Sequence, residues 1–387
     1  MRIGINASFL RKPNTGIGQV TANFIKKLIE ISNDGKNEYI LYLEEDVDFE
    51  LPTNFSKKVF LPKMYKRDDI IRAIWWQKHL LPKFAKKDGC DIFFSLFQCA
   101  TIMPKNMKHI MLVHDVLLEF FPQYLNNWRK KYFWRLSKKA IKKSDKIIAV
   151  SHRTEKDLIQ QLGIDPAKIS VSHVDVDDIY KKEVDEKKSE EVLNEYGIKR
   201  GYIYTGGGLD LRKNTESVLR AYKILLKSYG RASWLPRLVI SGKMMPELAP
   251  LIADVEAIVQ GLELEKEVDL LGFVQQADLP ALYKNASVFV YPSLYEGFGL
   301  PVLEAMNQGI AVITSKKSSL PEVGSDAVLY CNPSDVDDLA MVLRNVLTND
   351  HLRSRLATKG KERALHFSWD KFVHKFLNII KEEKNAW

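Results

Sequence analysis

Cysteine and long apolar runs are both scarce in this sequence, and each absence excludes a class of protein. Only three cysteines occur, Cys90, Cys99 and Cys331, and their spacing matches neither a metal site nor a set of disulfide pairs. We therefore expect reduced cysteines packed in cores, as in a reducing cytosol. No apolar run approaches the roughly 20 residues of a membrane-spanning helix, and residues 1–6 are typical of a short strand rather than of a signal peptide. These absences predict a cytoplasmic protein.

Internal repeats and low-complexity segments are also absent, which leaves an ordinary globular chain. Its 387 residues suggest two domains, and hydrophobic residues make up 45% of them, enough for two cores. A charge-dense segment at 181–200 predicts the linker, so the first domain spans 1–180. The second domain spans 201–366, and an amphipathic segment at 369–381 predicts a helix within the final segment, 367–387.

Acidic residues are too few to balance the basic ones in the first predicted domain. Residues 1–180 contain 30 Lys or Arg and 21 Asp or Glu, whereas the rest of the chain contains 28 of each. The whole formal net charge of +9 therefore belongs to the first domain. An excess of this kind favours an anionic partner.

Short apolar runs alternate with amphipathic segments through both domains. This alternation predicts an α/β fold with two doubly wound parallel sheets. A helix is predicted at 20–31, where apolar residues recur at helical spacing. The predicted strands of the first domain are 3–7, 38–43, 58–61, 92–95, 109–114, 146–150 and 170–174. Those of the second domain are 201–205, 237–241, 268–271, 286–291, 311–314 and 328–330.

The second domain is organised around the stretch 291–306, Tyr-Pro-Ser-Leu-Tyr-Glu-Gly-Phe-Gly-Leu-Pro-Val-Leu-Glu-Ala-Met. It places two carboxylates, Glu296 and Glu304, around a glycine turn at the carboxyl end of a predicted strand. Ligands of α/β sheets bind at that edge, and the N–H groups of the following helix suit an anion. Taken alone, such a turn is more commonly a plain strand–helix connection with solvated acids.

The same stretch resembles the Glu-x7-Glu signature of retaining nucleotide-sugar glycosyltransferases of family 4, which have the GT-B fold. The similarity runs from about residue 286 to 325 and includes Ser-Ser-Leu-Pro-Glu-Val at 318–323. It implies two Rossmann-like domains facing a cleft, with a final helix that crosses back to the first domain. It also implies that Glu296 contacts hydroxyls of the donor sugar and Glu304 those of the ribose. The donor-binding turn would comprise Gly297, Phe298, Gly299 and Leu300.

A Gly-Ile-Gly sequence, Gly16 to Gly18, follows the first predicted strand. A dinucleotide-binding fingerprint needs a third glycine where Thr21 stands, and an acid at the end of a second strand. Glu44 stands near that place but opens an acid-rich loop, so an NAD-dependent dehydrogenase remains only an alternative. The sequence instead resembles the Gly-Ile-Gly loop of family 4, which implies that the backbone of Gly16 and Gly18 faces the donor diphosphate.

A basic pair, Arg212 and Lys213, ends the glycine-rich segment that follows the strand at 201–205. Cations in a loop are commonly just solvated, but a pair beside a helix N-terminus suits a diphosphate leaving group. Where family 4 frequently has Gly-Arg, this chain has Gly207-Gly208, which shifts phosphate binding to Arg212 and Lys213. Arg-Lys-Asn is typical of a branch with many mannosyltransferases of surface polysaccharide pathways. The resemblance thus implies GDP-mannose as the donor, with a UDP-hexose as the alternative.

Further positions follow from the same resemblance. The backbone around Phe273 and Val274 would hold the base, although packing explains their side chains equally well. His114 ends a predicted strand at the place where family 4 has a histidine beside the donor sugar. Ser151 ends the strand before it and is expected to cap the next helix, although family 4 has a serine near the cleft at this place. The implied catalytic set is Glu296, His114, Arg212 and Lys213.

Asp175-Val-Asp177-Asp178 could represent the Asp-x-Asp metal motif of the other glycosyltransferase fold. It lies where family 4 has its loop into the hinge, and no further acids surround it. We predict no metal ion and no cofactor besides the nucleotide-sugar substrate.

Two amphipathic segments bear on membrane contact. Residues 128–146 contain nine Lys or Arg and one Asp among aromatic residues, and 70–81 contains Trp75-Trp76. A basic amphipathic helix can lie on anionic lipid. Two ordinary helices with aromatic residues inward and lysines in solvent are the equal alternative.

The resemblance covers nearly the whole chain and implies a retaining, metal-independent hexosyltransferase. Its partners would be a nucleotide-sugar donor and a growing surface glycan or lipid-linked oligosaccharide, as in lipopolysaccharide or other polysaccharide biosynthesis, and not nucleic acid. The alternative from another class is a nonenzymatic nucleotide- or sugar-binding protein with the same fold. Loss of either signature glutamate or of the basic pair would favour this alternative. Glu296, Glu304, Arg212 and Lys213 are all present.

Overall fold

Two parallel sheets organise the chain. The computed structural model describes residues 1–32, 35–48, 50–60 and 69–385. It separates into two units: the first combines Met1–Asp175 with Phe367–Trp387, and the second is Val176–His366. The second unit therefore begins before residue 180, where the boundary was predicted. Tyr180 packs inside it, with its ring centroid 6.1 Å from that of Tyr283.

In the part of the chain that the structure describes, the first unit has a seven-stranded parallel sheet. Its strands are β1 (Arg2–Asn6), β2 (Glu38–Leu43), β3 (Phe55–Val59), β4 (Ile92–Ser95), β5 (Lys108–Val113), β6 (Lys146–Ala149) and β7 (Ile169–Val171). The spatial order is β3-β2-β1-β4-β5-β6-β7. Winding reverses between β1 and β4, which makes the sheet doubly wound and Rossmann-like.

The edge strand β3 corrects the strand predicted at 58–61. Phe55 of β3 stacks on Tyr39 of β2, with ring centroids 4.5 Å apart. The prediction followed the apolar run at 59–61, whereas cross-strand packing of Phe55 sets the observed position. Leu61 lies outside the described residues.

Helices flank this sheet. They are α1 (Gly16–Ile31), α2 (Asp69–Ile74), α3 (Leu81–Lys87), α4 (Leu117–Phe120), α5 (Trp128–Lys143) and α6 (His152–Leu162), and a π-helical segment, Trp75–Leu80, joins α2 to α3. The helix predicted at 20–31 begins earlier, so Gly16 and Gly18 lie in the first turn of α1 rather than in a separate turn. Thr15 caps this turn by accepting a hydrogen bond from the N–H of Gly18 at 3.1 Å.

The second unit has a parallel sheet of its own. Its strands are β8 (Tyr202–Thr205), β9 (Leu238–Ser241), β10 (Val268–Gly272), β11 (Ala286–Tyr291), β12 (Ala311–Ser315) and β13 (Leu329–Cys331). The order β10-β9-β8-β11-β12-β13 repeats the doubly wound arrangement, and here winding reverses between β8 and β11. The core includes Ile203, Ile240, Val288, Val290 and Ile313, all completely buried.

Eight helices of the described residues surround the second sheet: α7 (Glu186–Glu195), α8 (Thr215–Tyr229), α9 (Val255–Gly261), α10 (Leu279–Lys284), α11 (Leu300–Asn307), α12 (Leu320–Gly324), α13 (Val336–Leu347) and α14 (Asp350–Ala364). Half of the charge-dense segment at 181–200 forms α7, and the segment belongs to the second unit rather than to a separate linker. Helix α7 packs on α10, where Lys188 pairs with Asp278 at 2.8 Å.

The final helix, α15 (Trp369–Asn385), belongs to the first unit and packs on α1. Phe24 of α1 meets Phe372 and Phe376 edge to face, with centroids 5.8 and 5.2 Å away. Aromatic pairs in this geometry stabilise the contact beyond the area that they bury.

Candidate active site in the second unit

The predicted donor-binding residues meet where the winding of the second sheet reverses. The segment after β8 carries Arg212 and Lys213, and the segment after β11 carries Glu296. Their backbones are joined directly, because the N–H of Leu294 donates to the carbonyl of Arg212 at 2.7 Å. Ligands of open α/β sheets bind at such a reversal, outside the carboxyl ends of the strands.

Glu296 is buried among hydrogen-bond donors. Its Oε1 lies 2.8 Å from Nζ of Lys213, 2.7 Å from the hydroxyl of Tyr291 and 2.8 Å from that of Ser293. Its Oε2 accepts from Nη1 of Arg212 at 2.7 Å. Burial by itself would raise the pKa of Glu296, but the charges of Arg212 and Lys213 outweigh it and lower the pKa to about 2. Glu296 is therefore ionised at neutral pH.

The basic pair is held by this carboxylate. Lys213 is 7% exposed, and its ammonium also donates to the hydroxyl of Tyr291. Burial, followed by the nearby Arg212, lowers the pKa of Lys213, although Glu296 acts in the opposite direction. Arg212 donates in addition to the carbonyl of Tyr295 at 3.1 Å. The two cations are thus fixed side by side at the end of the sheet.

Two predicted glycines have conformations and neighbours that exclude a side chain. Gly207 has φ +86°, and a Cβ there would lie 2.9 Å from Cγ of Pro301. Gly299, which precedes α11, has φ +119°, and its Cβ would lie 2.8 Å from Cδ2 of Leu320. Glycine tolerates these φ values at little cost. The loop at Gly207 therefore packs tightly onto the start of α11, and Gly299 packs tightly against α12.

Glu304 lies inside α11 and is also buried, at 6% exposure. Its Oε2 accepts a hydrogen bond from the hydroxyl of Tyr283 at 2.9 Å. Burial raises the pKa of Glu304 to about 7, even though Tyr283 and Lys213 act to lower it. The helix dipole at the N-terminus of α11 favours an ionised carboxylate, but the loss of solvent has the larger effect on the pKa of Glu304.

Serine hydroxyls secure the glycine turn, a function that the sequence did not reveal. Ser319 lies 2.9 Å from the carbonyl oxygen of Glu296 and 2.6 Å from that of Phe298, and Ser318 donates to the carbonyl of Glu296 at 2.5 Å. Both belong to the 318–323 stretch that carried the resemblance. Their spacing offered no hint of their partners, which lie about 20 residues away.

Tyr283, Tyr291 and Ser293 were likewise missed by the sequence analysis. Ser293 and Tyr291 stand three and five residues before Glu296, so their proximity could have been anticipated. Tyr283 had no such signal, since it belongs to α10. The two base-binding candidates follow β10: Phe273 is 48% exposed and Val274 is buried.

The remaining predicted residues, Gly16, Gly18 and His114, belong to the first unit. The backbone N–H of His114 donates to the side chain of Gln98 at 3.1 Å. Its Nε2 lies 2.9 Å from the carbonyl oxygen of Leu96, and because a carbonyl only accepts, Nε2 carries the proton. Burial lowers the pKa of His114, so the ring is neutral and its Nδ1 is an acceptor. Ser151 caps α6 as predicted, accepting from the N–H of Thr154 at 3.0 Å.

Comparison with known proteins decides the family. The family described as Glycosyltransferase Family 4 matches residues 16–178, and Glycosyl transferases group 1 matches residues 186–363. The chain is 31% identical over 278 residues to the O-antigen chain mannosyltransferase B of Escherichia coli, which covers 71% of this chain and 70% of that protein. The chain belongs to glycosyltransferase family 4.

This family 4 glycosyltransferase is also 25% identical over 353 residues to the O-antigen chain mannosyltransferase RfbU of Salmonella typhimurium, covering 88% of this chain and 90% of that protein. The crystal structure of WaaG, a glycosyltransferase involved in lipopolysaccharide biosynthesis, matches with a TM-score of 0.75 at 17% identity, over 98% of this chain and 99% of that chain. The predicted family and the GT-B fold are confirmed. The chain is an enzyme of this family rather than a dehydrogenase or a nonenzymatic binding protein.

Proposed function

We propose that this enzyme transfers mannose from GDP-mannose to a hydroxyl of a growing surface glycan, with retention of the anomeric configuration. The names of the two relatives support mannose and an O-antigen-like glycan as the acceptor. The observation that carries the proposal is the buried cluster of Glu296 with Arg212 and Lys213 at the reversal of the second sheet. This cluster combines two cations that can bind an anion with an ionised carboxylate that can accept hydrogen bonds.

The basic pair stabilises the departing diphosphate. Arg212 has five N–H donors and Lys213 has three, more than their contacts with Glu296, Tyr295 and Tyr291 use. We assign the phosphate oxygens to this basic pair. Fixed cations aimed at the place where negative charge develops lower the barrier without reorganisation during the reaction. Two cations perform the charge neutralisation that a divalent metal provides in other enzymes, and the reaction proceeds without one.

Glu296 orients the donor sugar. A carboxylate has about four acceptor sites. Its Oε1 accepts from Lys213, Tyr291 and Ser293, whereas among the described residues only Arg212 donates to Oε2. The remaining capacity of Oε2 suits a sugar hydroxyl. Glu304 accepts from the ribose hydroxyls, and the turn from Gly297 to Leu300 lies along the donor.

A ligand screen of the purified protein tests the donor. GDP and GDP-mannose should raise the melting temperature more than UDP, UDP-glucose or NAD, and GDP-mannose with a mannan acceptor should give an elongated glycan. A ligand at about 100 times its dissociation constant adds roughly 2.7 kcal/mol to stability. A clear preference for a uridine nucleotide would replace mannose by a UDP-linked hexose and leave the family unchanged.

The acceptor would reach the enzyme at a membrane surface. No helix within the described residues is long and apolar enough to cross a bilayer. In the first unit, however, α2 packs on α5. Each of the two amphipathic segments noted in the sequence contains one buried and one exposed tryptophan. Trp76 and Trp134 are buried, whereas Trp75 is 44% exposed and Trp128 is 75% exposed.

Exposed cations accompany these exposed rings. Lys131, Arg135, Lys139 and Lys142 are all exposed on α5, and their spacing of four, four and three residues places them along one side of the helix. We name these four cations, with Trp75 and Trp128, the basic aromatic face. Aromatic rings beside cations are typical of helices that lie on anionic lipid, and this face would hold the enzyme peripherally beside a lipid-linked acceptor.

A further inference from the structure

Two buried tyrosines of the second unit each bind one of the two signature glutamates. Tyr283 donates to Oε2 of Glu304 at 2.9 Å, and Tyr291 donates to Oε1 of Glu296 at 2.7 Å. Both tyrosines are 1% exposed. They come from different elements, α10 and the end of β11, so each glutamate is fixed from a separate part of the scaffold.

Other buried tyrosines of this unit show what a purely structural hydroxyl does. Tyr202 donates to the carbonyl of Leu282 at 2.6 Å, and Tyr222 donates to the carbonyl of Pro236 at 2.9 Å. A backbone carbonyl is a sufficient partner for a buried phenol. Tyr283 and Tyr291 instead donate to carboxylates that carry the proposed donor contacts.

Tyr283 is the only side chain among the described residues that donates a hydrogen bond to the carboxylate of Glu304. Tyr283 binds Oε2 of Glu304 and thereby leaves Oε1 to accept hydrogen bonds from other groups. A hydrogen bond to a carboxylate favours its charged form. Loss of the hydroxyl should therefore make the buried Glu304 harder to ionise and free its side chain to rotate, and both changes oppose binding of a ribose diol.

Tyr291 has a different position, because it contacts two members of the cluster. Its hydroxyl donates to Glu296 and accepts from Lys213, whose Nζ lies 5.0 Å from the centre of the tyrosine ring. Arg212 and Lys213 would still keep Glu296 ionised without this hydroxyl. The loss would be one of orientation, at the carboxylate that faces the sugar.

We propose that Tyr283 and Tyr291 are positioning residues: Tyr283 orients Glu304 for the nucleotide, and Tyr291 orients Glu296 and Lys213 for sugar transfer. This inference rests on the proposed function, since it uses the proposed contacts of the two glutamates. It predicts that two chemically identical substitutions affect different quantities: Tyr283→Phe lowers nucleotide affinity, and Tyr291→Phe lowers turnover. A general loss of packing would instead affect both in the same way.

The experiment compares Tyr283→Phe and Tyr291→Phe with the matched control Tyr222→Phe, which also loses one buried hydroxyl. Tyr283→Phe should weaken GDP binding at pH 7.5 about tenfold, the loss typical of a hydrogen bond to a charged group. Tyr291→Phe should leave GDP affinity within about twofold and lower turnover with GDP-mannose about tenfold. Tyr222→Phe should match the wild type in both. Melting temperatures identify any variant that fails to fold.

A double-mutant cycle separates an effect through the glutamate from general damage. If Tyr283 acts through Glu304, adding Tyr283→Phe to Glu304→Gln should change GDP affinity little further, whereas independent residues give additive losses. Additive losses, or tyrosine variants that behave like Tyr222→Phe, would overturn the inference while the wild-type activity stands. If the wild type prefers UDP, the comparison is made with UDP. A wild type that binds no nucleotide would overturn both proposals.

Discussion

The ammonium of Lys213 lies 2.8 Å from the carboxylate of Glu296, although 83 residues separate them along the chain. Both side chains are less than 10% exposed, so neither is well solvated. A buried ion pair adds little net stability, because the loss of hydration offsets the attraction. For the proposed reaction its value is preorganisation, because the two cations and the carboxylate proposed to bind the sugar are in place before a donor binds.

Glu296→Gln tests the proposed contact with the sugar. The variant should lower turnover with GDP-mannose by about a hundredfold, a loss typical of removing one group that stabilises a transition state. Affinity for GDP, which lacks the sugar, should fall much less. The control is Glu256→Gln, which removes an exposed carboxylate from α9 and should retain full activity. A fully active Glu296→Gln enzyme would contradict the assignment.

The same substitution should also destabilise the fold. Removing one partner of a buried ion pair leaves the other charge uncompensated, at a cost of about 3 kcal/mol. Because the pKa of Glu296 is depressed to about 2, its stabilising effect is present above the ordinary glutamate pKa and is lost as pH falls through about 2. At pH 7 the variant should therefore melt well below the wild type. Chemical denaturation of both proteins measures the difference.

Glu304 should give donor binding a pH dependence. With its pKa raised to about 7 in the free enzyme, the carboxylate must lose a proton to accept from both ribose hydroxyls. Affinity for GDP-mannose should fall as pH drops through about 7 in the wild type and stay flat in Glu304→Gln. Binding measured between pH 5.5 and 8.5 decides this. Equal pH profiles for the two proteins would remove Glu304 from the ribose site.

Stability should respond to Glu304 in the opposite direction from Glu296. Its folded pKa lies above the ordinary value, so the folded state favours the protonated form, and ionisation above pH 7 is a cost of folding. Glu304→Gln removes that cost and should raise the melting temperature at pH 8.5. At pH 5, where the native carboxyl is protonated, the two proteins should melt within a degree or two, roughly the effect of a few tenths of a kcal/mol. A lower melting temperature for the variant at pH 8.5 would contradict the raised pKa.

Much of the fold was predictable because buried parallel strands are short apolar runs. The strands at 38–43, 92–95 and 286–291 were placed at their observed bounds. Errors arose where tertiary packing overrides the local hydrophobic pattern. At β3, the packing of Phe55 fixes the position of the strand, and the apolar run at 59–61 does not. At α1 the glycines at 16 and 18 indicated a turn, but capping by Thr15 makes them helical.

The candidate site was predictable only in part. Glu296 and Glu304 carry a local signature, and the reversal between β8 and β11 explains why Arg212 and Lys213 meet them. The burial of Glu304, however, depends on tertiary packing and not on its neighbours in the sequence. That burial raises the pKa of Glu304 to about 7, above the ordinary glutamate value. The contact of Tyr283 with Glu304 depends on how α10 docks against α11, which no spacing in the sequence encodes.

Gly16 and Gly18 should differ sharply in tolerance to alanine. A Cβ at Gly18 would lie 1.9 Å from the carbonyl oxygen of Lys12, whereas a Cβ at Gly16 would meet nothing within 4 Å. Gly18→Ala should therefore cost about 1–3 kcal/mol of stability, as for other overpacked sites. Gly16→Ala should be neutral or slightly stabilising, since alanine is the better helix former. Thermal unfolding of the pair measures this, and equal melting temperatures would show that the segment before α1 adapts freely.

The basic pair should make activity independent of divalent metal ions. Arg212→Ala and Lys213→Ala should each weaken GDP affinity and lower turnover, because the diphosphate is present in both the ground and transition states. Turnover of the wild type should survive EDTA, and added Mg²⁺ should not rescue either variant. Activity abolished by EDTA would instead assign the charge neutralisation to a metal.

The basic aromatic face should bind anionic vesicles in a salt-dependent way. The first unit contains 34 Lys or Arg and 22 Asp or Glu, an excess of +12. Screening beyond about 10 Å at 0.1 M salt should weaken the attraction as salt is raised. Changing Lys131, Arg135, Lys139 and Lys142 to Gln should abolish co-sedimentation with phosphatidylglycerol vesicles. The matched control changes four exposed lysines of the second unit to Gln: Lys187, Lys227, Lys243 and Lys266. Because that control removes equal charge from elsewhere, it should still bind. Equal loss in both variants would mean that net charge alone drives binding, and binding to neutral vesicles as strong as to anionic ones would exclude an electrostatic surface.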